Sequence, residues 1–268
     1  MGAEEKYAPG AEGLMAVLRR LRAPDGCPWD RAQTRHTLTR HLACECAELI
    51  DAVDREDPPA ICDEAGDVLM NLFLQILIAE ERGEFTLADV WKNEIGKMIR
   101  RHAHIFGDET ASTPEEVTAL WEKIKRRERA GKPEPESVLD GVPQYLSALA
   151  RAEKLQKKAA ETGFDWTDEA GVLAKIREEV EELSRAMDSC DADAVDEELG
   201  DLLFSAVNLI RFRKREDAES LLRRANRKFE RRFRFIEKNL KAAGEDPGTV
   251  GIDRLEALWQ AAKTGEKE

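Results

Sequence analysis

Four acidic residues recur in this chain at a fixed interval, and that recurrence narrows the folds open to it more than any other feature. Glu45, Glu48, Glu64 and Asp67 are matched 134 positions later by Glu179, Glu182, Glu198 and Asp201. Other landmarks repeat at nearly that distance: Trp29 and Trp166 are 137 apart, Lys97 and Lys228 131, Trp121 and Trp259 138. Such a register describes two copies of one supersecondary unit. Within each copy the acids come as two pairs three residues apart, a spacing that puts each pair on one helix face. If the two helices pack antiparallel, four carboxylates meet. Two carboxylates about 4 Å apart repel by roughly 4 kcal/mol at an effective dielectric near 20, so a quartet asks for a cation. Oxygen-only ligands select a hard one, Mg²⁺ or Mn²⁺.

The rest of the chain agrees with a helical unit used twice. Charged residues make up 36% and aromatics 6%, with few β-branched runs, which indicates an all-α protein. Helical patterns cover about 11–22, 35–55, 60–82, 86–104 and 114–129, with a loop at Cys27-Pro28-Trp29-Asp30. Pro58-Pro59 and Ser112-Thr113-Pro114 stand where helices stop and start. A Gly/Pro/Glu-rich segment then marks a linker, so the expected domains are 1–130, a linker at 131–141, and 142–268. The second half repeats the plan with helices near 143–162, 168–188, 192–213, 215–241 and 252–263. Val68 to Ala79 is apolar nearly all round and is expected to be buried on more than one side.

Composition also bounds function. A formal net charge of −13 argues against nucleic-acid binding, which needs a basic footprint. The start, Met1 to Lys6, has no signal-peptide pattern, the longest apolar run is too short to span a bilayer, and an odd number of cysteines points to reduced thiols. A cytoplasmic protein without membrane contact is the expectation. Cys44, Cys46 and Cys62 lack zinc spacing and read as small buried residues.

Glu-rich helix faces are usually only solvated, which suits Glu181 and Glu197. For the quartet that account is weaker, since Gly200 and the apolar run from Leu202 are expected to place the helix start against a core. A di-iron carboxylate bundle would need Glu-x-x-His pairs, and all four histidines lie in the first half.

The pattern Glu-Glu-x-x-Glu, a spacer, then Glu-x-x-Asp resembles that of the MazG family of nucleoside triphosphate pyrophosphohydrolases. Gly26-Cys27-Pro28-Trp29-Asp30, Arg100 to Phe106, Gly163-Phe164-Asp165-Trp166 and Asn226 to Phe233 carry the likeness across residues 11–263. The resemblance implies tandem all-α helical-bundle repeats, a homodimer, and Mg²⁺-dependent cleavage of nucleoside triphosphates to monophosphate and pyrophosphate. It makes Glu179, Glu182, Glu198 and Asp201 the metal ligands. Chemistry of that kind fits the residues: cations on the quartet would activate a water for attack on the α-phosphorus, with Glu178 and Glu179 as catalytic carboxylates.

Nucleotide contacts are expected from Lys228 and Arg232, four apart on one face, from Trp259 stacking on the base, and from Lys175, for which an ion pair with Glu179 is the competing account. Trp29 and Trp166 read as packing residues, and Asn208 as either a substrate contact or a satisfied buried amide. A second site in the first repeat would use Glu45, Glu48, Glu64, Asp67, Lys97, Arg101 and Trp121. There Cys44 stands where Glu178 stands, and Ala103 replaces the proline of the family's Arg-His-Pro-His, so the second repeat is taken as the main site. Broad base specificity is the first reading. A deoxypyrimidine or aberrant-nucleotide pyrophosphatase, or a nucleotide sensor that does not hydrolyse, are the alternatives.

Overall fold

The computed structural model describes residues 7–130, 136–189 and 191–265, and among these every regular element is a helix. Residues 1–6, residues 131–135 of the expected linker, and Cys190 lie outside the described residues. Two compact units are separated, Met1–Lys132 and Pro133–Glu268. Among the described residues no helix is long and apolar enough to cross a membrane.

The first unit contains α1 (Ala11–Arg22), α2 (Pro28–Ala32), α3 (Arg35–Asp54), α4 (Pro58–Glu81), α5 (Leu87–Arg101), α6 (Ala103–Phe106) and α7 (Pro114–Arg129). Helices α3 and α4 form a tight hairpin. Thr34 and Thr37 cap the start of α3 reciprocally, and Asp57 accepts from the Ala60 N–H at the start of α4. Each such cap contributes about 1 kcal/mol. The core joins Met15 and Leu18 of α1, Leu38 of α3, and Phe73, Leu74, Leu77 and Ile78 of α4. Full burial of a side chain of this size is worth about 2 kcal/mol. Arg22 fastens α1 to α4 through two bonds to Glu81, at 2.8 and 2.7 Å.

The second unit contains α8 (Ala148–Ala160), α9 (Glu169–Ser189), α10 (Ala192–Arg213), α11 (Ala218–Ala243) and α12 (Ile252–Gly265). Helices α9 and α10 form the corresponding hairpin, with Asp191 accepting from the N–H groups of Asp193 and Ala194. Helix α8 lies along α10, and α12 packs on α11 around Ile236, Leu240 and Leu258.

Several expected boundaries move, each for a local reason. Part of the loop at 27–30 is the short helix α2, because Pro28 suits a first helical turn. The helix expected over 86–104 breaks at His102, whose backbone leaves the helical region (φ −106°, ψ 45°). Helix α8 starts at 148 and not near 143, because Ser147 takes the cap position and accepts from the Ala150 N–H. The apolar runs are not wholly enclosed either. Leu69 and Leu72 on α4, and Leu199, Leu203 and Phe204 on α10, are exposed, and Gly200 faces open space where a core was expected.

Candidate active site

The α9–α10 hairpin brings carboxylates from both helices together. Oxygens of Glu179, Glu182 and Glu198 lie within 4.8 Å of one another, and Glu179 is buried. The α3–α4 hairpin does the same with Glu45, Glu48 and Glu64, in a more open setting. The fourth acid of each set, Asp201 or Asp67, stands outside the tight group, near enough to act on its neighbours' charge. Burial, then repulsion from Glu182, Glu179 and Asp201, holds the Glu198 carboxyl above its ordinary value. Glu45 and Glu64 are raised for the same reasons, burial first. Three oxygen donors this close, with their negative charge unrelieved by one another, fit a hard divalent cation.

Lys175 supplies the local positive charge in the second unit. Its ammonium donates to Glu178 at 2.8 Å and to Glu179 at 2.9 Å. Those two bonds push its own pKa up. The expected ion pair with Glu179 is therefore present, and Glu178 is held by the same group.

Beside this cluster opens a cleft of about 730 Å³, whose walls include Lys175, Glu179, Asp201 and Asn208. Leu155, Phe164, Trp166 and Phe204 give it an apolar side. The loop that carries Phe164 and Trp166 is tied down by Arg211 of α10. That guanidinium donates to Asp165 at 3.1 Å and to the Asn208 side-chain oxygen at 2.9 and 2.8 Å. The bond from Arg211 holds the Asp165 carboxyl below its usual range. Asn208 thus accepts from a guanidinium with its side-chain oxygen, not from the backbone, while standing in the wall of the cleft. Trp166 is 43% exposed and Trp29 51% exposed, so neither packs in a core as expected. Gly171 makes the position of Trp166 feasible: a Cβ there would lie 2.8 Å from the indole.

Apart from Lys175, the basic residues singled out from the sequence are placed elsewhere on their units. Lys228 is exposed on α11, and the Arg232 guanidinium lies 5.3 Å from the Trp259 ring centroid. Trp259 also meets Phe229 and packs against the α11–α12 core. None of the three lines the cleft. In the first unit Lys97 pairs with Glu94, and Arg101 with Glu128 at 2.8 Å. Trp121 meets His102 edge-on.

The two repeats differ around their acids. In the 134-residue register, Asn208 and Arg211 correspond to Leu74 and Leu77, which are buried in the first unit's core. Lys175 corresponds to His41, whose ring lies edge-on against Trp29. Sequence reasoning missed the cleft residues Gln156, Phe164 and Arg211. The register comparison holds a signal for Arg211, a cation at a position where the sister repeat is apolar.

The description of the MazG nucleotide pyrophosphohydrolase domain matches this chain twice, at residues 33–106 and 168–235. Each stretch contains one set of four acids. The chain is 41% identical over 256 residues to the nucleoside triphosphate pyrophosphohydrolase/pyrophosphatase MazG of Thermotoga maritima, covering 96% of both. It is 41% identical to the nucleoside triphosphate pyrophosphohydrolase of Escherichia coli K12, covering 94% of this chain and 97% of that one. A crystal structure of a mazG-related protein from Thermotoga maritima aligns at 26% identity over 43% of this chain and 99% of its own, with a TM-score of 0.38.

Proposed function

The chain belongs to the MazG nucleotide pyrophosphohydrolase family and is a hydrolase, and from that premise we propose that its second repeat converts nucleoside triphosphates to monophosphates and pyrophosphate with Mg²⁺ (or Mn²⁺) and broad base specificity. One observation carries the reading: the carboxylate cluster around the buried Glu179 adjoins a cleft with aromatic walls, and the cleft shares Glu179 and Lys175 with it.

Glu179, Glu182 and Glu198, with Asp201 beside them, would hold the cation. When bound, it supplies positive charge to the triphosphate and acidity to a coordinated water. The chain's own groups do the rest. Glu178 orients the attacking water and takes its proton, and Lys175 fixes Glu178 and Glu179 in place. The water oxygen bonds to the α-phosphorus as the bond to the bridging oxygen breaks, and pyrophosphate leaves with its charge spread over nearby cations. Lys228 and Arg232, which stand on α11 outside the cleft walls, are the groups proposed to meet those phosphates as they extend beyond it. Phe164 and Trp166 offer faces on which any base can stack, typically worth about 1–3 kcal/mol per base, which supports broad specificity. In the first repeat the positions matching Asn208 and Arg211 are occupied by the core leucines Leu74 and Leu77, which favours the second as the main site.

Hydrolysis of a common nucleoside triphosphate in ¹⁸O-labelled water tests the chemistry. The reading expects pyrophosphate, no orthophosphate, and the label in the monophosphate. Label in pyrophosphate, or orthophosphate as the product, would overturn it.

A further inference from the structure

The end of the stretch expected to be linker forms a locked turn. The Ser137 N–H donates to Asp140 Oδ2 at 2.9 Å, and the Asp140 N–H donates to the Ser137 carbonyl at 3.0 Å. The Leu139 N–H donates to Ser137 Oγ at 3.2 Å. Gly141, at φ +78°, reverses the chain in the left-handed region. The next residue, Val142, is buried, and Arg151 of α8 donates to the Val142 and Pro143 carbonyls at 3.2 and 3.3 Å. A flexible spacer needs none of these ties. Their effect is to hold Leu139 in the wall of the cleft, in company with Leu155, Phe164, Trp166 and Phe204. Leu139 is 41% exposed in that position, so its side chain is open to an occupant. Its neighbour Val138 is exposed as well but takes no part in the walls.

We propose that Leu139 covers part of the bound nucleobase and that the size of its side chain limits which bases the cleft admits. The proposal rests on the hydrolase reading for the occupant of the cleft. A wall fixed in advance loses no freedom when a ligand arrives, and an apolar cleft of this volume suits a ring-sized occupant. The Leu139 side chain has no donor or acceptor, so it cannot read the edge of a base and acts on shape alone. One methylene more or less against such a wall changes discrimination by at least about tenfold. Selection by bulk passes every common base that fits and works against an enlarged ring.

Ethenoadenosine nucleotides carry one more fused ring than adenosine nucleotides, so the pair probes the space beside the base. Pyrophosphate release from the two triphosphates is measured on the full chain with Mg²⁺. In Leu139→Ala the KM for adenosine triphosphate should rise about tenfold with kcat kept, and the ethenoadenosine-to-adenosine ratio of kcat/KM should rise several-fold over wild type. In Leu139→Phe that ratio should fall. Val138→Ala should leave both quantities as in wild type. Ratios taken within each protein cancel any general loss of fold. Affinities for the two monophosphates, measured by calorimetry without bond cleavage, should shift in the same directions. Ratios that stay constant in both Leu139 variants, or that change equally in Val138→Ala, would overturn the proposal, as would no binding of either monophosphate. Pyrophosphate release with constant ratios would leave the hydrolase reading standing without this wall. Shifted affinity ratios without pyrophosphate release would do the reverse.

Discussion

Arg211 is the residue on which the shape of the cleft turns. Its guanidinium is almost fully buried and is satisfied by Asp165 and Asn208, so it fixes both the loop bearing Trp166 and the wall opposite. Asp165→Asn keeps an acceptor but removes the charge. The expected cost is about 1 kcal/mol, or roughly 2–4 °C in Tm for a chain of this size. Its pH dependence has a definite sign. Arg211 depresses the folded-state pKa of Asp165, so the stabilisation is complete above the ordinary Asp value and is lost as pH falls through the lower folded value. Thermal melts should therefore show the gap between wild type and variant at pH 6 and see it close below about pH 4. The acids of the cluster were legible in the sequence because their spacing reports a helix face. Gln156 was not. It sits in a polar run, Lys154-Leu155-Gln156-Lys157-Lys158, that looks solvated, and only its bond to a carbonyl 48 positions away marks it as buried.

At the scale of helices, the hairpins α3–α4 and α9–α10 were readable from acid spacing, prolines and caps. What misled was the apolar run along the middle of each second helix. Leu202 to Phe204 reads as core-facing because periodicity reports an apolar face without saying what covers it. In this chain Leu199, Leu203 and Phe204 remain open. The start of α9 shows the opposite case, a small residue with a definite task. Gly171→Ala gains about 1 kcal/mol of helix propensity and meets the Trp166 ring at 2.8 Å, an overlap costing about 1–3 kcal/mol. The net is a loss of about 0–2 kcal/mol. Stability should fall by no more than about 2 kcal/mol while the displaced indole raises KM several-fold with kcat kept. An unchanged KM would show that Trp166 does not touch the nucleotide.

At the scale of the whole molecule, the chain exposes 19308 Å², where two separate compact domains of half its mass would expose about 14,000 Å². Part of the excess is a seam: Leu173, Val180 and Met187, seven residues apart along α9, are all exposed, with Leu199 and Leu203 exposed on α10. A stripe at heptad spacing suits helix-on-helix packing with a second copy, and we propose a homodimer formed there. Light scattering should give a mass near twice 30.2 kDa, and Val180→Glu with Leu203→Glu should reduce it toward the monomer. A monomeric wild type would rule the dimer out. Which repeat works was not decidable from the acids, since both sets are complete. It became arguable once Asn208 and Arg211 were seen in a cleft whose sister positions are the buried Leu74 and Leu77. Pyrophosphate release by Glu198→Gln and by Glu64→Gln, each confirmed folded by thermal melting, tests that account most directly. The account predicts a loss of at least about a hundredfold in Glu198→Gln and near-wild-type turnover in Glu64→Gln. Undiminished release by Glu198→Gln would contradict it.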